Sequence, residues 1–291
     1  MKPLGGTKRA SGGAISRFRG TSHHGDQSRA QLRRDHPAVV DGTTLFQKSV
    51  FTAETSPRLL ISGVNNAKTG GEVTIGPWKG AKIFTLSLVE RETCPRSCAT
   101  WRECYGNAMP LARRHRPTEG LTQKLWSELR DLSFTPTGDR KLAVRLHVLG
   151  DFFSEAYVKF WGQALLALPQ LHVWGYTAHD QKSLIGRRVA QLNADFPGRC
   201  VIRFSHAQAP AMATGVQWGP IEPPGTTHEP RILCPASTEA TAACSTCGLC
   251  WSPAARDKRI VFIGHGLNGG RRADTKPDGA PPQDTQEQVN A

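Results

Sequence analysis

Between Ile83 and Phe204 the chain alternates apolar, strand-like runs with amphipathic helical segments, and this rhythm limits the possible folds more than any other feature. Ile83 to Val89 is the first such run. A helix is expected over roughly Gly120 to Asp131, where Leu121, Leu125, Trp126 and Leu129 fall at helical spacing. Lys141 to Leu149 places Leu142, Val144, Leu146 and Val148 at every second position, the period of a strand. Ser154 stands where an N-cap would open a helix to about Leu168, and Pro169 would stop it. His172 to Thr177 reads as a strand, Gln181 to Ala194 as a helix, and Cys200 to Phe204 as a fourth strand. This order predicts βαβ units on a parallel sheet, with right-handed crossovers bringing the loops after the strands to one rim. About four to six strands are visible, too few for an eight-stranded barrel. The expected architecture is therefore α/β: a partial, open parallel β/α barrel with a C-terminal cysteine-rich extension. Residues 1–40 read as a disordered basic arm, 45–206 as the partial barrel, 207–267 as the four-cysteine extension ending in a strand at Arg259 to Ile263, and 268–291 as a disordered tail.

The expected rim gathers the ionisable residues. It would carry the Cys94–Cys104 loop, Gly150-Asp151, Tyr176 to Asp180 and Ser205-His206. Carboxyl ends of parallel strands are where α/β proteins build ligand sites. Cys94, Cys98 and Cys104, spaced C-x3-C-x5-C, can fill three positions on a metal group and leave a fourth open, an arrangement that goes with chemistry. Cys244, Cys247 and Cys250 are spaced C-x2-C-x2-C, and Cys234-Pro235 precedes them. These four can close around one [4Fe–4S] cluster, as ferredoxin loops do, or around one zinc ion. The eighth cysteine, Cys200, sits in an apolar strand and reads as a small buried hydrophobe.

Other candidates are weaker. Asp151 is the leading functional carboxylate, although an acid there could simply face a helix N-terminus. His179, His206 and His265 lie just past strand ends and could move a proton near neutral pH. His147 reads as packed, and Trp126, Trp161 and Trp174 as core. The run Arg113-Arg114-His115-Arg116 could meet phosphates or an acidic substrate, or could be a solvated helix end.

The net charge is +13, and residues 1–36 hold eight Lys/Arg against two Asp/Glu. A basic excess of this size favours an anionic partner, nucleic acid first. No apolar run approaches the ~20 residues of a membrane span. The N-terminal residues lack the apolar core of a secretion signal, so a cytoplasmic location is expected, where cysteines serve as ligands more than as disulfides.

Two resemblances follow from these residues. A three-cysteine loop after the first strand of a partial barrel resembles the radical S-adenosylmethionine enzymes, whose usual spacing is C-x3-C-x2-C with an aromatic beside the last cysteine. Cys94 and Cys98 keep the x3 gap and Tyr105 follows Cys104, while the x5 gap departs from that pattern. Gly150-Asp151 looks like the Gly-Glu motif that holds the methionine amino group there, and Ser205 stands where a ribose contact is expected. The chain also resembles the bacteriophage gene-product-88-type family, whose reaction is not established. The shared pieces are Asn66 to Gly70, Phe84 to Leu88, Thr93-Cys94-Pro95 with Cys98 and Cys104-Tyr105, Gly150 to Ser154 and Tyr176-Thr177, while Cys234-Pro235-Ala236, Cys244 to Cys250 and His265-Gly266 resemble pieces of related phage and actinobacterial proteins of unknown function. If phage-encoded, the protein would work in the host cytoplasm.

Together these readings predict an iron–sulfur enzyme of radical S-adenosylmethionine type. Cys94, Cys98 and Cys104 would hold a [4Fe–4S] cluster that binds S-adenosylmethionine, with Tyr105, Gly150, Asp151 and Ser205 around the cofactor. A 5′-deoxyadenosyl radical would abstract hydrogen from a small molecule, nucleotide or nucleic acid. A second [4Fe–4S] cluster would sit on Cys234, Cys244, Cys247 and Cys250, and a flavodoxin or ferredoxin would donate the electron. The alternative is a non-catalytic protein, stabilised by zinc or iron–sulfur, that binds nucleic acid.

Overall fold

The computed structural model describes residues 32–66, 68–136, 138–205, 207–217, 230–238 and 240–263. Its centre is a five-stranded sheet: β1 (Ile61–Ser62), β2 (Lys82–Thr85), β3 (Leu142–Leu146), β4 (Leu171–Thr177) and β5 (Cys200–Phe204). Spatial order follows chain order. The first pair is antiparallel and the other three pairs are parallel. Each parallel crossover carries a helix: α1 (Leu121–Ser133), α2 (Glu155–Ala167) and α3 (Leu184–Asp195). Ser154 and Ser183 cap α2 and α3, each accepting from a backbone N–H three residues on, at 3.2 and 3.0 Å.

The two-residue period of the strands separates two cores. Leu142, Val144 and Leu146 point to the helices with Val173, Cys200 and Ile202, and meet Leu125, Leu129, Trp161, Leu165 and Val189. Ile83, Ala143, Trp174 and Val201 face the other way and pack on Trp78, Cys234, Cys250, Trp251 and Ile260. Both faces are covered, as a parallel sheet requires. Burying one large apolar side chain contributes roughly 1.5–3 kcal/mol, so each layer is substantial.

The covering layer includes a second parallel sheet in the order β6 (Thr214–Gln217), β8 (Arg259–Ile263), β7 (Arg231–Leu233). A bridge between Phe204 and Ala213 joins it to the end of β5. Strands β6 and β7 were not expected, since each is short and flanked by Pro, Gly and Thr. The fold is thus mixed α/β with parallel sheets, and among the described residues no sheet closes into a barrel.

Three expectations change. Regular strand β2 ends at Thr85 rather than Val89, because the chain beyond it bonds on both sides: Val148 N–H to Leu86 O at 2.8 Å and His115 N–H to Ser87 O at 3.0 Å. Residues 32–40, expected in the basic arm, form a turn and a short helix (Pro37–Val40) with Leu32, Ala38 and Val39 buried. The Arg113–Arg116 run is neither a helix end nor an open cationic patch. Arg114 and His115 form a short parallel ladder with Val50 and Phe51 and are fully buried. His206 and His265 lie outside the described residues.

Candidate metal centres

The Cys94–Cys104 loop is pinned at its base by charge. The Arg114 guanidinium donates to the Glu90 carboxylate at 2.7 Å, both groups essentially without solvent exposure, and to Gly106 O at 3.0 Å. Arg91, at φ +68°, donates to Asn107 Oδ1, Trp101 O and Thr43 O. From outside, Trp101 Nε1–H and Arg96 donate to Val39 O, so the 32–40 segment roofs the loop. Cys94, Cys98 and Cys104 are all half-buried.

Gly150 fixes the next strand end against this loop. It sits at φ +79°, and a Cβ there would lie 2.5 Å from Thr93 Oγ1 and 2.6 Å from Leu88 Cβ, so only glycine fits. Asp151 N–H then donates to Thr93 Oγ1 at 3.1 Å. The buried Asp151 carboxylate accepts from Phe152 N–H and from Ala178 N–H, each at 2.7 Å, and Ser205 N–H donates to Thr177 O at 2.8 Å. A hydrogen-bonded rim therefore runs from the end of β2 across β3 and β4 to β5. Burial raises the Asp151 carboxyl, and the nearby His179 opposes this. His179 donates Nε2–H to Phe152 O at 2.7 Å, so it too braces the rim.

The first three thiols share one electrostatic neighbourhood. Burial pushes Cys94 well above the usual thiol range, and Asp151, Cys104 and Cys98 push the same way. Cys98 is raised chiefly by burial, and Cys104 is raised to about 12 by burial and Glu90. As thiolates they need a cation among them, which is what a metal group supplies. Tyr105 is 46 % exposed beside Cys104. Ser205 is half-buried, and no hydrogen bond among the described residues ties its side chain to the cysteines.

Cys234, Cys244, Cys247 and Cys250 line a separate pocket with Leu249, Trp251 and Ile260. Cys234 follows β7 and donates its N–H to Val261 O at 2.8 Å; Cys244 and Cys247 bracket a single helical turn, α4 (Cys244–Cys247). Gly248, at φ +65°, reverses the chain toward Cys250. Trp251 stacks on Trp78 at 5.1 Å and meets Trp174 edge-on at 4.9 Å. Arg203 of β5 is fully buried and donates to the carbonyls of Cys250, Ala255 and Lys258 at 2.8–3.1 Å. Tyr176 Oη–H donates to Cys250 Sγ at 3.1 Å. Burial raises Cys244 and Cys247, and Cys250 reaches about 12.

Donor identity suits metal in both places: three thiols beside a carboxylate, and four thiols with a hydroxyl donor on one of them. Among the described residues no three Cys, His, Asp or Glu side chains are gathered closely enough to hold a single ion as they stand. Cys200 belongs to neither set and packs in the helix-side core. His147 is buried, its Nε2 3.0 Å from Tyr157 Oη, and burial lowers it to about 3, which keeps it neutral. Sequence reasoning gave no role to Arg145 or Lys68 and missed the Tyr176–Cys250 bond. The signals were a charged residue inside the apolar run of β3 and the places of Lys68 and Tyr176 in the shared stretches Asn66 to Gly70 and Tyr176-Thr177.

Among known proteins, the gene 88 protein of Mycobacterium phage L5 is 26 % identical over 217 residues, covering 62 % of this chain and 86 % of that protein. No solved structure matches the chain. The model of the gene product 88 family matches residues 58–253, a span that includes both cysteine sets, and the chain belongs to that family.

Proposed function

We propose that this protein is an iron–sulfur enzyme of radical S-adenosylmethionine type, built on an open segment of β/α barrel. The observation that carries this reading is the division of seven cysteines into a four-thiol pocket and a separate three-thiol loop at the strand ends. The four can satisfy a cluster by themselves. The three would hold a [4Fe–4S] cluster through Cys94, Cys98 and Cys104 and leave one iron for S-adenosylmethionine. When bound, that cluster supplies one electron to the cofactor, delivered by a flavodoxin or ferredoxin type of donor. The chain's own residues orient and enclose. Thr93, Gly150 and Asp151 set the distance between loop and sheet, and Val39 O accepts from Trp101 Nε1–H on the loop's outer side. The substrate is a small molecule or nucleotide, in keeping with the basic charge.

Anaerobic purification tests the proposal. The expected product is brown protein with about eight irons per chain. Reduction with dithionite and S-adenosylmethionine should release 5′-deoxyadenosine, and Cys98→Ser should abolish the release. Colourless, zinc-loaded protein, or iron-loaded protein that leaves S-adenosylmethionine intact, would overturn it.

A further inference from the structure

Four buried arginines lie around the two cysteine sets, and three are fully engaged: Arg114 on Glu90, Arg91 on Asn107 and two carbonyls, and Arg203 on three carbonyls. Arg145 is the exception. It stands in β3, on the face covered by the extension, and is only 9 % exposed. Among the described residues it has no carboxylate partner and no hydrogen-bond acceptor, and its Nε is sealed from solvent unbonded. A buried guanidinium with unfilled donors is costly unless something fills them.

Its neighbour is the Tyr176 ring, whose centre lies 5.8 Å from the guanidinium carbon. Tyr176 meets Phe262 edge-on at 5.3 Å, and Lys68 Nζ stands 5.8 Å from the Phe262 ring centre. Two cations thus flank one aromatic pair. Lys68 also lacks an acid or hydrogen-bond partner among the described residues, and burial and Arg145 both push its ammonium down. Its loop does not swing freely. Lys68 O accepts from Cys244 N–H at 2.8 Å, Asn66 Oδ1 caps the turn, and Gly70, at φ +75°, presses on Ser245 so closely that a Cβ would lie 2.1 Å from its Oγ. The Cys244 and Cys250 sulfurs lie close enough to act on both cations by charge, but the Tyr176 hydroxyl is the group that reaches Cys250, and Arg145 Nε is bonded to none of them among the described residues.

We propose that Arg145 and Lys68 form a binding site for an oxyanion, the carboxylate or phosphate of a small molecule, seated against the Tyr176–Phe262 pair beside the four-cysteine pocket. A guanidinium fork matches either group through two parallel hydrogen bonds, and the ammonium adds a point charge.

The test uses the full chain as purified, with metal content measured on every sample. Inorganic phosphate, pyrophosphate and succinate are titrated calorimetrically and in thermal unfolding. At least one should bind saturably and raise Tm, and which one identifies the source of the oxyanion. Arg145→Met and Lys68→Met should each weaken binding by about tenfold or more, the worth of a charged hydrogen bond. Lys159→Met, exposed on α2, should not. Arg145→Lys, which keeps the charge, should retain part of the affinity if Arg145→Met fails to fold, and Lys68→Met tests the site independently. The proposal falls if none of the probes binds at millimolar concentration or if the variants bind as tightly as the parent. It also falls if they lose metal while anion affinity is unchanged, for the pair would then be the counter-charge of the metal centre.

Discussion

The two cysteine sets are held by opposite physics. The first is a half-buried loop secured by ionic and polar contacts: Glu90 with Arg114, Arg91 with three acceptors, and a rim of backbone bonds through Asp151. The second is set in an apolar wall, where Trp78 and Trp251 stack and Trp174 meets both edge-on. Directional bonds fix where a loop points and hold its thiols at the strand ends. Apolar bulk shapes the pocket, in which Cys234 and Cys250 are buried and Cys244 and Cys247 half-buried. The contrast is what the proposed division of labour, a reactive three-thiol loop beside an architectural four-thiol pocket, would require.

The largest effect should come from the pocket. If the pocket holds metal as proposed, Cys250→Ser removes one of its ligands beside Trp251, and the loss of metal should cost several kcal/mol and redden the tryptophan fluorescence. Cys98→Ser should leave Tm within a few degrees of the parent. Equal destabilisation by the two variants, read by thermal unfolding, would erase the distinction. Next in size is Glu90→Ala. It strands a fully buried guanidinium and should cost roughly 3–5 kcal/mol in denaturant unfolding, while the four-cysteine pocket keeps its metal. Loss of metal from both sets would show that the loop and the pocket stand or fall together.

These contrasts were unevenly legible in the sequence. The helix-facing half of the sheet was readable, because Leu142, Val144 and Leu146 repeat at the strand period and Ser154 marks the next helix start. Spacing was enough to group Cys234 with Cys244, Cys247 and Cys250, which line one pocket, but not to say what either cysteine set holds. The covering half was not readable. Arg145 interrupts an apolar strand and has no sequence neighbour to explain it, and β6 and β7 find their shared partner β8 only across long chain separations. Arg114 looked like surface because its partner Glu90 lies 24 residues upstream, and only the folded ladder brings a buried acid to it. Charge is cheap to read as solvated. The pairing that makes burial possible is a property of the fold.

Acid should weaken the rim side and the helix core together. Burial lowers His147 to about 3 and His115 to about 4. An unfolded histidine takes its proton near pH ~6.5, so below that pH the unfolded chain binds protons that the fold refuses. The stability from these two residues is whole above about 6.5 and is lost as pH falls toward their folded values, at up to about 1.4 kcal/mol per pH unit for each. Unfolding midpoints measured between pH 7 and 4.5 should show this slope, and His147→Gln should flatten it. An unchanged slope would place the acid sensitivity elsewhere.

The smallest expected effect is also the most selective. Tyr176→Phe deletes one hydroxyl and keeps the ring that packs on Phe262, so it should cost only about 0.5–1.5 kcal/mol of stability. Its consequence lies in the pocket. The hydroxyl donates to Cys250 Sγ at 3.1 Å and draws negative charge from a thiolate there. Hydrogen bonds to cluster sulfurs raise reduction potential, so an iron–sulfur centre in the variant should be harder to reduce. The signal of the three-thiol set should not move, because no hydrogen bond of Tyr176 among the described residues reaches it. A redox titration followed by electron paramagnetic resonance reads both centres in one sample. A shift confined to one signal would assign that signal to the four-cysteine pocket, and a shift in both would mean that the polar loop and the apolar pocket share a single electrostatic environment.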